Sequence, residues 1–269
     1  MPRSRARSTR PRRAGATACS DAAGGQGALT AALFLCDDLS GDELELTGPE
    51  GRHAATVRRV KVGEQVHLAD GRGTRARCTV VALGQDVVRL RVDARDVEPE
   101  PEPRLVLVQA LAKGDRGELA VELATELGVD EVLPWQAERC IVKWEGARGE
   151  KSLSRWASTA REAGKQSRRA RHPVVAHWVS TDELLARVRT TPTLLLHEGA
   201  TQPLASVELP ARGELLLVVG PEGGITEREL EVLTAAGGVP VRLGSSVTRT
   251  STAGAAAVAV VSARTSRWA

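Results

Sequence analysis

Residues 218–233, VVGPEGGITERELEVL, place three glycines around one proline and one glutamate, between a β-branched run and a helix pattern. Glycine has no Cβ, so such a loop lets a guest approach bare backbone, and Pro221 stiffens its entry. A phosphate loop would add a lysine in G-x-x-x-x-G-K-[ST], and that run occurs nowhere in the chain. A dinucleotide site wants G-x-G-x-x-G after the first strand, whereas these glycines lie near the end of the chain with other spacing. The structural alternative is a tight strand-to-helix turn that holds nothing. Two further strand ends have the same character, HEG at 197–199 and LGSSVTRTSTA at 243–253. Ligands of open α/β sheets sit outside the carboxyl ends of strands, so these three segments define one candidate site for a flat heterocycle.

Charged residues gather at three other places. KGDR, residues 113–116, sets Lys113 and Arg116 beside Asp115 where a strand ends and a helix opens. Asp115 as a simple helix N-cap is the structural alternative there. Arg161, Lys165, Gln166, Arg168, Arg169 and Arg171 crowd eleven residues of a basic helix, and Arg52, Arg58, Arg59 and Lys61 lie upstream. A run of that kind is commonly a solvated face. Cys19, Cys36, Cys78 and Cys140 are scattered without a C-x-x-C pair, which excludes a zinc ribbon or dithiol site by spacing and suits free thiols in a reducing cytosol.

The elements that position these residues fall into two regions. Val66, Leu68, Cys78, Val80, Val88, Leu90 and Val92 alternate at period two around DGRG and GQD turns. Short antiparallel strands with one buried face follow, and residues 30–96 are expected to form a small β-barrel. VEPEPEPR, residues 97–104, is an extended, self-repelling linker. From 105 to 269 strands alternate with helices, which predicts an α/β domain with a mostly parallel sheet. RLVLVQAL, VLP, VVAHWV, TLLLHEG, ELLLVVG and VPVRLG read as strands. Leu119, Leu123 and Leu127 recur at helical spacing before Gly128, residues 152–170 read as a helix, and Ser180–Glu183 and Thr226–Glu229 are capping-box pairs.

Residues 1–29 carry six arginines and one aspartate, a net +5, which leaves about −2 for the rest of a chain whose total is +3. The basic balance therefore reflects a segment expected to be a disordered extension. LTAALFLCDDL, which follows, reads as a natural beginning, and the arginine segment lacks the apolar core of a secretory signal. No apolar run approaches the roughly 20 residues of a membrane helix. One phenylalanine, five tryptophans and no tyrosine leave few rings for stacking on single-stranded nucleic acid, so an RNA partner would be held by charge and shape.

The segment LLVVGPEGGITERELEVL…VPVRLGSSVTRTSTAGAAAVAVV resembles the C-terminal signature of the SPOUT methyltransferases, specifically the family that methylates uracil N3 in 16S ribosomal RNA. Upstream, QALAKGDRGELAVELATELGVDEVLPWQAERC, REAGKQSRR and LLLHEG occur in family order, and VRRVKVGEQVHLADGRG resembles that family's PUA-like RNA-binding barrel. The resemblance spans about residues 31–265. It departs at Ser251, where the family often has glutamate, and at Ser245 and Ser246, where it often has proline and arginine.

The resemblance implies a trefoil knot in the C-terminal domain, bound S-adenosylmethionine, a homodimer and a cytoplasmic enzyme acting on 16S rRNA or the small ribosomal subunit, with no metal and no membrane. On this reading the glycine loop cradles adenosine, which needs no lysine. Leu196, Gly199, Gly220, Glu222, Gly223, Leu243, Gly244 and Thr250 are the cofactor-binding candidates. Arg249 and Glu198 are the catalytic candidates, for stabilising the uracil anion and accepting its proton, while His197 reads as a packed histidine. Arg52, Arg58, Arg59, Lys113, Arg116, Arg161, Gln166 and Arg169 are the RNA-binding candidates. The rival reading is an RNA-binding protein whose knot domain is inactive, for which Ser251 speaks.

Overall fold

The computed structural model describes residues 31–268, so the arginine-rich stretch over 1–29, with Cys19, lies outside the described residues. The first region contains β1 (Leu33–Leu35), β2 (Glu43–Leu46), a short helix α1 (Gly48–Arg52) that continues as a π-helical turn over His53–Val57, then β3 (Gln65–Ala69), β4 (Thr74–Gly84) and β5 (Val87–Val97). The five strands pair in the order β1-β3-β4-β5-β2. β1 runs parallel to β3 and the other pairs are antiparallel. The period-two pattern does what it predicts: Val66, Leu68, Cys78, Val80, Val88 and Leu90 are each 1% exposed or less. They surround Phe34, and Val92 packs at the margin of the cluster. The DGRG turn is held by Asp70, whose carboxylate accepts from the amides of Arg72 at 2.7 Å and Thr74 at 3.0 Å, the local bonding that makes aspartate a turn residue.

Residues 98–103 carry neither helix nor strand. The second region then runs β6 (Arg104–Ala110), α2 (Arg116–Glu126), β7 (Glu131–Gln136), α3 (Gly146–Gln166), β8 (Val174–Val175), β9 (Val179–Ser180), α4 (Thr181–Val188), β10 (Thr193–Leu196), β11 (Glu214–Val219), α5 (Glu227–Ala235), β12 (Gly238–Val241) and α6 (Thr250–Arg264). Its strands pair in the order β12-β10-β11-β6-β7-β8, with β9 also on β7, and every pairing is parallel. Leu105, Leu107, Leu195, Leu215 and Trp135 are fully buried in this core. Each such side chain contributes about 1.5–3 kcal/mol relative to exposure.

Both capping boxes form in full, Ser180 with Glu183 and Thr226 with Glu229, and Gly128 closes α2 at φ +98°. Other expectations change. α2 buries Gly117, Ala120, Val121 and Ala124, while Leu119 is 42% exposed, because close packing of α2 on α3 and α6 selects the small residues. Asp115 stands at the N-cap position of α2 without a side-chain bond to the helix. VVAHWV is two short strands, not one, since the His177 ring stacks on Trp178 at 3.8 Å and Trp178 packs edge-on to Trp144. The basic helix begins at Gly146 and ends at Gln166.

That helix also ties the two regions together. Lys165 Nζ donates to Glu50 Oε1 at 2.5 Å, and the other oxygen of Glu50 accepts from the Leu35 amide. Arg171 donates twice to the Glu98 carbonyl, at 2.7 and 3.0 Å. Lys165 and Arg171 therefore serve the fold, and Arg161, Gln166 and Arg168 remain exposed.

Candidate functional site

Strand register places the site. Gln109 of β6 pairs with Val219 of β11, Val219 with Leu196 of β10, and Leu196 with Val241 of β12. One row across the sheet thus ends β10, β11 and β12 and lies one residue short of the end of β6, and GPEGG, HEG and LGSSVTRT all leave from it. A cavity of about 470 Å³ opens there, lined by Leu196, Glu198, Val219, the whole of Gly220–Ile225, Val247, Thr248, Arg249, Thr250, Ala253 and Arg116. That volume lies in the roughly 300–1,000 Å³ range of small-molecule sites.

The glycine loop is folded on itself. A Cβ on Gly220 would stand 2.8 Å from Ile225 Cγ1 and 3.1 Å from its amide nitrogen, so only glycine lets the chain double back. Two neighbours hold the loop from outside. Arg139 Nη1 donates to the Gly223 carbonyl at 2.9 Å. Glu222 Oε1 accepts from the Lys113 amide at 3.1 Å and from Arg116 Nη1 at 3.2 Å. Partial burial pushes the Glu222 carboxyl up, but the bonds from its own backbone, the Lys113 amide and Arg116 outweigh that and hold it below its ordinary value.

Thr250, the first residue of α6, donates its hydroxyl to the Gly220 carbonyl at 2.8 Å and accepts from Gln109 Nε2 at 3.0 Å. It is 7% exposed. Arg249 and Glu198 reach the cavity from two different loops, and their charged ends make no bond to another described residue. His197 Nδ1 accepts from the Gly199 amide at 3.1 Å, a packed role that leaves the proton on the other ring nitrogen.

Of the expected cofactor residues, Leu196, Gly220, Glu222, Gly223 and Thr250 line this cavity. Leu243 and Gly244 line a smaller one of about 70 Å³ that shares Leu196, Glu198, Val247, Thr248 and Ala253 with the first. Gly199 lines neither cavity, its amide being taken by His197. Gln109 and Arg139 were not legible as site residues, because their partners at the site lie 141 and 84 residues away. Ile225 and Val247 lie inside the segments the sequence singled out, though neither was named there.

The expected RNA contacts separate into free and engaged groups. Arg58, Arg59, Lys113, Arg161 and Gln166 are exposed. Arg52 lies 3.4 Å from Asp86 with most of its side chain in solvent. Arg169 is a correction: its guanidinium donates to the carbonyls of Thr125 and Val129 at 2.9 and 2.7 Å, lies 3.7 Å from Asp130, and is 15% exposed. It closes the end of α2 and is not available to a phosphate. The thiols of Cys78 and Cys140 are pushed up to about 11 by burial, which makes them unreactive at neutral pH.

Comparison with known proteins accords with this geometry. A family model of the RNA methyltransferase domain matches residues 98–262, and one of the RNA methyltransferase PUA domain matches residues 46–94. The chain is 49% identical over 247 residues to the ribosomal RNA small subunit methyltransferase E of Mycobacterium tuberculosis, covering 89% of this chain and 94% of that protein. It is 32% identical to the Bacillus subtilis protein of the same name, covering 82% and 90%. The crystal structure of the Neisseria gonorrhoeae ribosomal RNA small subunit methyltransferase E bound to S-adenosyl methionine superposes with a TM-score of 0.78 at 29% identity, over 87% of this chain and 98% of that one. With a family model across most of its length and a relative at half identity, the chain belongs to the ribosomal RNA small subunit methyltransferase E family.

Proposed function

We propose that this protein uses S-adenosylmethionine to methylate N3 of a uridine in the 16S ribosomal RNA of the small subunit. The observation that carries the reading is the cavity at the strand ends. Leu196, Val219, Ile225 and Ala253 offer apolar walls for a flat ring, the loop backbone offers polar groups for its edge, and none of the described lysines lines the site. Such a lining suits an adenosine without phosphates. The Neisseria relative, described as bound to S-adenosyl methionine, supports the same choice.

When bound, the cofactor supplies an electrophilic sulfonium methyl group. The uracil imide is weakly acidic, so N3 must lose its proton for attack, and the protein supplies alignment, a proton acceptor and positive charge. Glu198, which lines the cavity and makes no side-chain bond to another described residue, is assigned the acceptor role. Arg249, which lines the same cavity and is likewise unbonded among the described residues, is assigned the anion. Arg116 and Lys113 sit on the turn that Glu222 holds against the glycine loop, where a phosphate of the substrate strand can be met. Arg58, Arg59 and Arg161 are exposed and are assigned further phosphate contacts, which fits recognition of A-form RNA through backbone and shape. The reading divides the chain into an RNA-binding region over 30–96, a linker over 97–104 and a knotted catalytic region from 105. It includes a homodimer working in the cytoplasm.

The test is transfer of label from S-adenosylmethionine to small ribosomal subunits that lack the modification, with nucleoside mass spectrometry. Labelled 3-methyluridine is the expected product. Label on another nucleoside sinks the uracil-N3 assignment, and absence of any transfer by protein that binds the cofactor sinks the choice of substrate.

A further inference from the structure

Gln109 is a polar side chain in the middle of a seven-stranded sheet and is 0% exposed. Burying an amide is costly unless its groups are bonded. Its nitrogen donates to Thr250 Oγ1 at 3.0 Å and to the adjacent Ala110 carbonyl at 3.2 Å, while its oxygen has no partner among the described residues. The fold therefore tolerates an unsatisfied buried acceptor in order to keep the donor where it is.

The donor acts on one hydroxyl. Thr250 Oγ1 accepts from Gln109 and gives its single proton to the Gly220 carbonyl at 2.8 Å. This chain of two bonds joins the end of β6, the start of α6 and the first residue of the glycine loop, positions 109, 250 and 220. It also fixes the direction of the hydroxyl proton. Toward a guest in the cavity Thr250 can then only accept a hydrogen bond, through its remaining lone pair. Reversing the Gln109 amide would set its oxygen against the Ala110 carbonyl, place its nitrogen where no described partner stands, and draw the hydroxyl proton away from Gly220.

We infer that Gln109 is a positioning residue for the cofactor loop: through Thr250 it holds the Gly220 carbonyl and the N-terminus of α6 in the arrangement that binds S-adenosylmethionine. This rests on the cofactor assignment made above. Gln109 touches neither cofactor nor substrate, and its effect is felt as affinity. Arg249 is the residue immediately before Thr250, so the same relay sets where the guanidinium enters the cavity.

The experiment is calorimetric titration of the full-length protein with S-adenosylhomocysteine, with Tm recorded for each variant. Gln109→Leu and Thr250→Val should each weaken binding about five- to twentyfold. Thr250→Ser, which keeps the hydroxyl, should stay within about twofold of wild type. The double variant Gln109→Leu/Thr250→Val should bind no more weakly than the worse single one, as members of one chain of bonds behave. Wild-type affinity in Gln109→Leu, or losses that multiply in the double variant, would overturn the proposal. If Gln109→Leu fails to fold, the comparison of Thr250→Val with Thr250→Ser still decides: equal affinities refute the relay. A wild-type protein that binds no S-adenosylhomocysteine would instead refute the cofactor assignment itself.

Discussion

Glu222 and Arg116 meet at 3.2 Å across the seam between the glycine loop and the turn that opens α2, 106 residues apart in sequence. The same carboxylate oxygen takes the Lys113 amide at 3.1 Å. One side chain thus fixes the spacing between the cavity and the turn carrying Lys113 and Arg116. Glu222→Ala should lower turnover about 10- to 100-fold, as misplacement of a positioning group does, while Tm moves by only a few degrees. The ion pair is partly exposed, with side chains 45% and 23% accessible, and pairs in that setting contribute about 1 kcal/mol or less. Turnover and Tm of the purified variant check this, and a collapse of Tm would mean that Glu222 serves the fold.

Gly220 and Gly244 give a paired test of the loop. A methyl at Gly220 would meet Ile225 at 2.8 Å, whereas one at Gly244 has nothing within 4 Å. Gly220→Ala should cost about 1–3 kcal/mol of stability and most of the cofactor affinity, since Thr250 is bonded to its carbonyl. Gly244→Ala should leave Tm unchanged. Thermal melts with and without S-adenosylmethionine separate the two: a large ligand-induced rise in Tm for Gly220→Ala would contradict the tight doubling-back of this loop.

His172 sets a pH dependence. It stands between Gly71, whose carbonyl accepts its amide at 2.9 Å, and Gly164, where an added Cβ would meet its ring at 2.6 Å. Burial lowers its pKa below the ordinary 6.5, and the charges of Arg169 and Arg161 push the same way, opposed by a hydrogen bond with the Arg169 backbone and then by Asp70. His67 is lowered for the same kind of reason, by burial and then by Arg75, Arg77 and Arg168. A lowered folded-state pKa means that the native form prefers the neutral ring. The associated stability is complete above about pH 6.5 and is lost as pH falls below it through the folded value. Tm should drop between pH 7.5 and 5.5, and His172→Gln should show a shallower drop. Parallel slopes would exclude His172 as the titrating group.

What the sequence made legible was mostly local. The two capping boxes join residues three apart, and the alternation of Val66, Leu68, Cys78 and Val80 needs only its own period, so both stand as read. Arg169 was misread because its partners lie 40 and 44 residues upstream, and in the sequence it looks like Arg161 and Arg168. The leucine spacing rightly marks a helix ahead of Gly128, but not which residues of α2 are buried: those are the small ones that meet the neighbouring helices. Gln109 and Arg139 act on the site from 141 and 84 residues away, which no window of sequence reveals.

The division of the basic residues into free and engaged groups has a direct consequence for RNA binding. Each phosphate contact adds about 0.9 to the slope of log affinity against log salt on a duplex. Arg161 is exposed, so Arg161→Ala should reduce that slope by about one contact with Tm unchanged. Arg169 is committed to Thr125, Val129 and Asp130. Removing it takes this donor from the buried Val129 carbonyl and one of its donors from the Thr125 carbonyl, which keeps the Gly128 amide at 3.1 Å, while Asp130 keeps Arg267 at 2.8 Å. Arg169→Ala should therefore cost about 1–3 kcal/mol of stability and leave the salt slope as in wild type. Filter binding to a 16S rRNA fragment across a salt series, with parallel melts, reads both quantities. A reduced slope in Arg169→Ala with no loss of Tm would return Arg169 to the RNA-binding face and take the bonds at the end of α2 out of the account of stability.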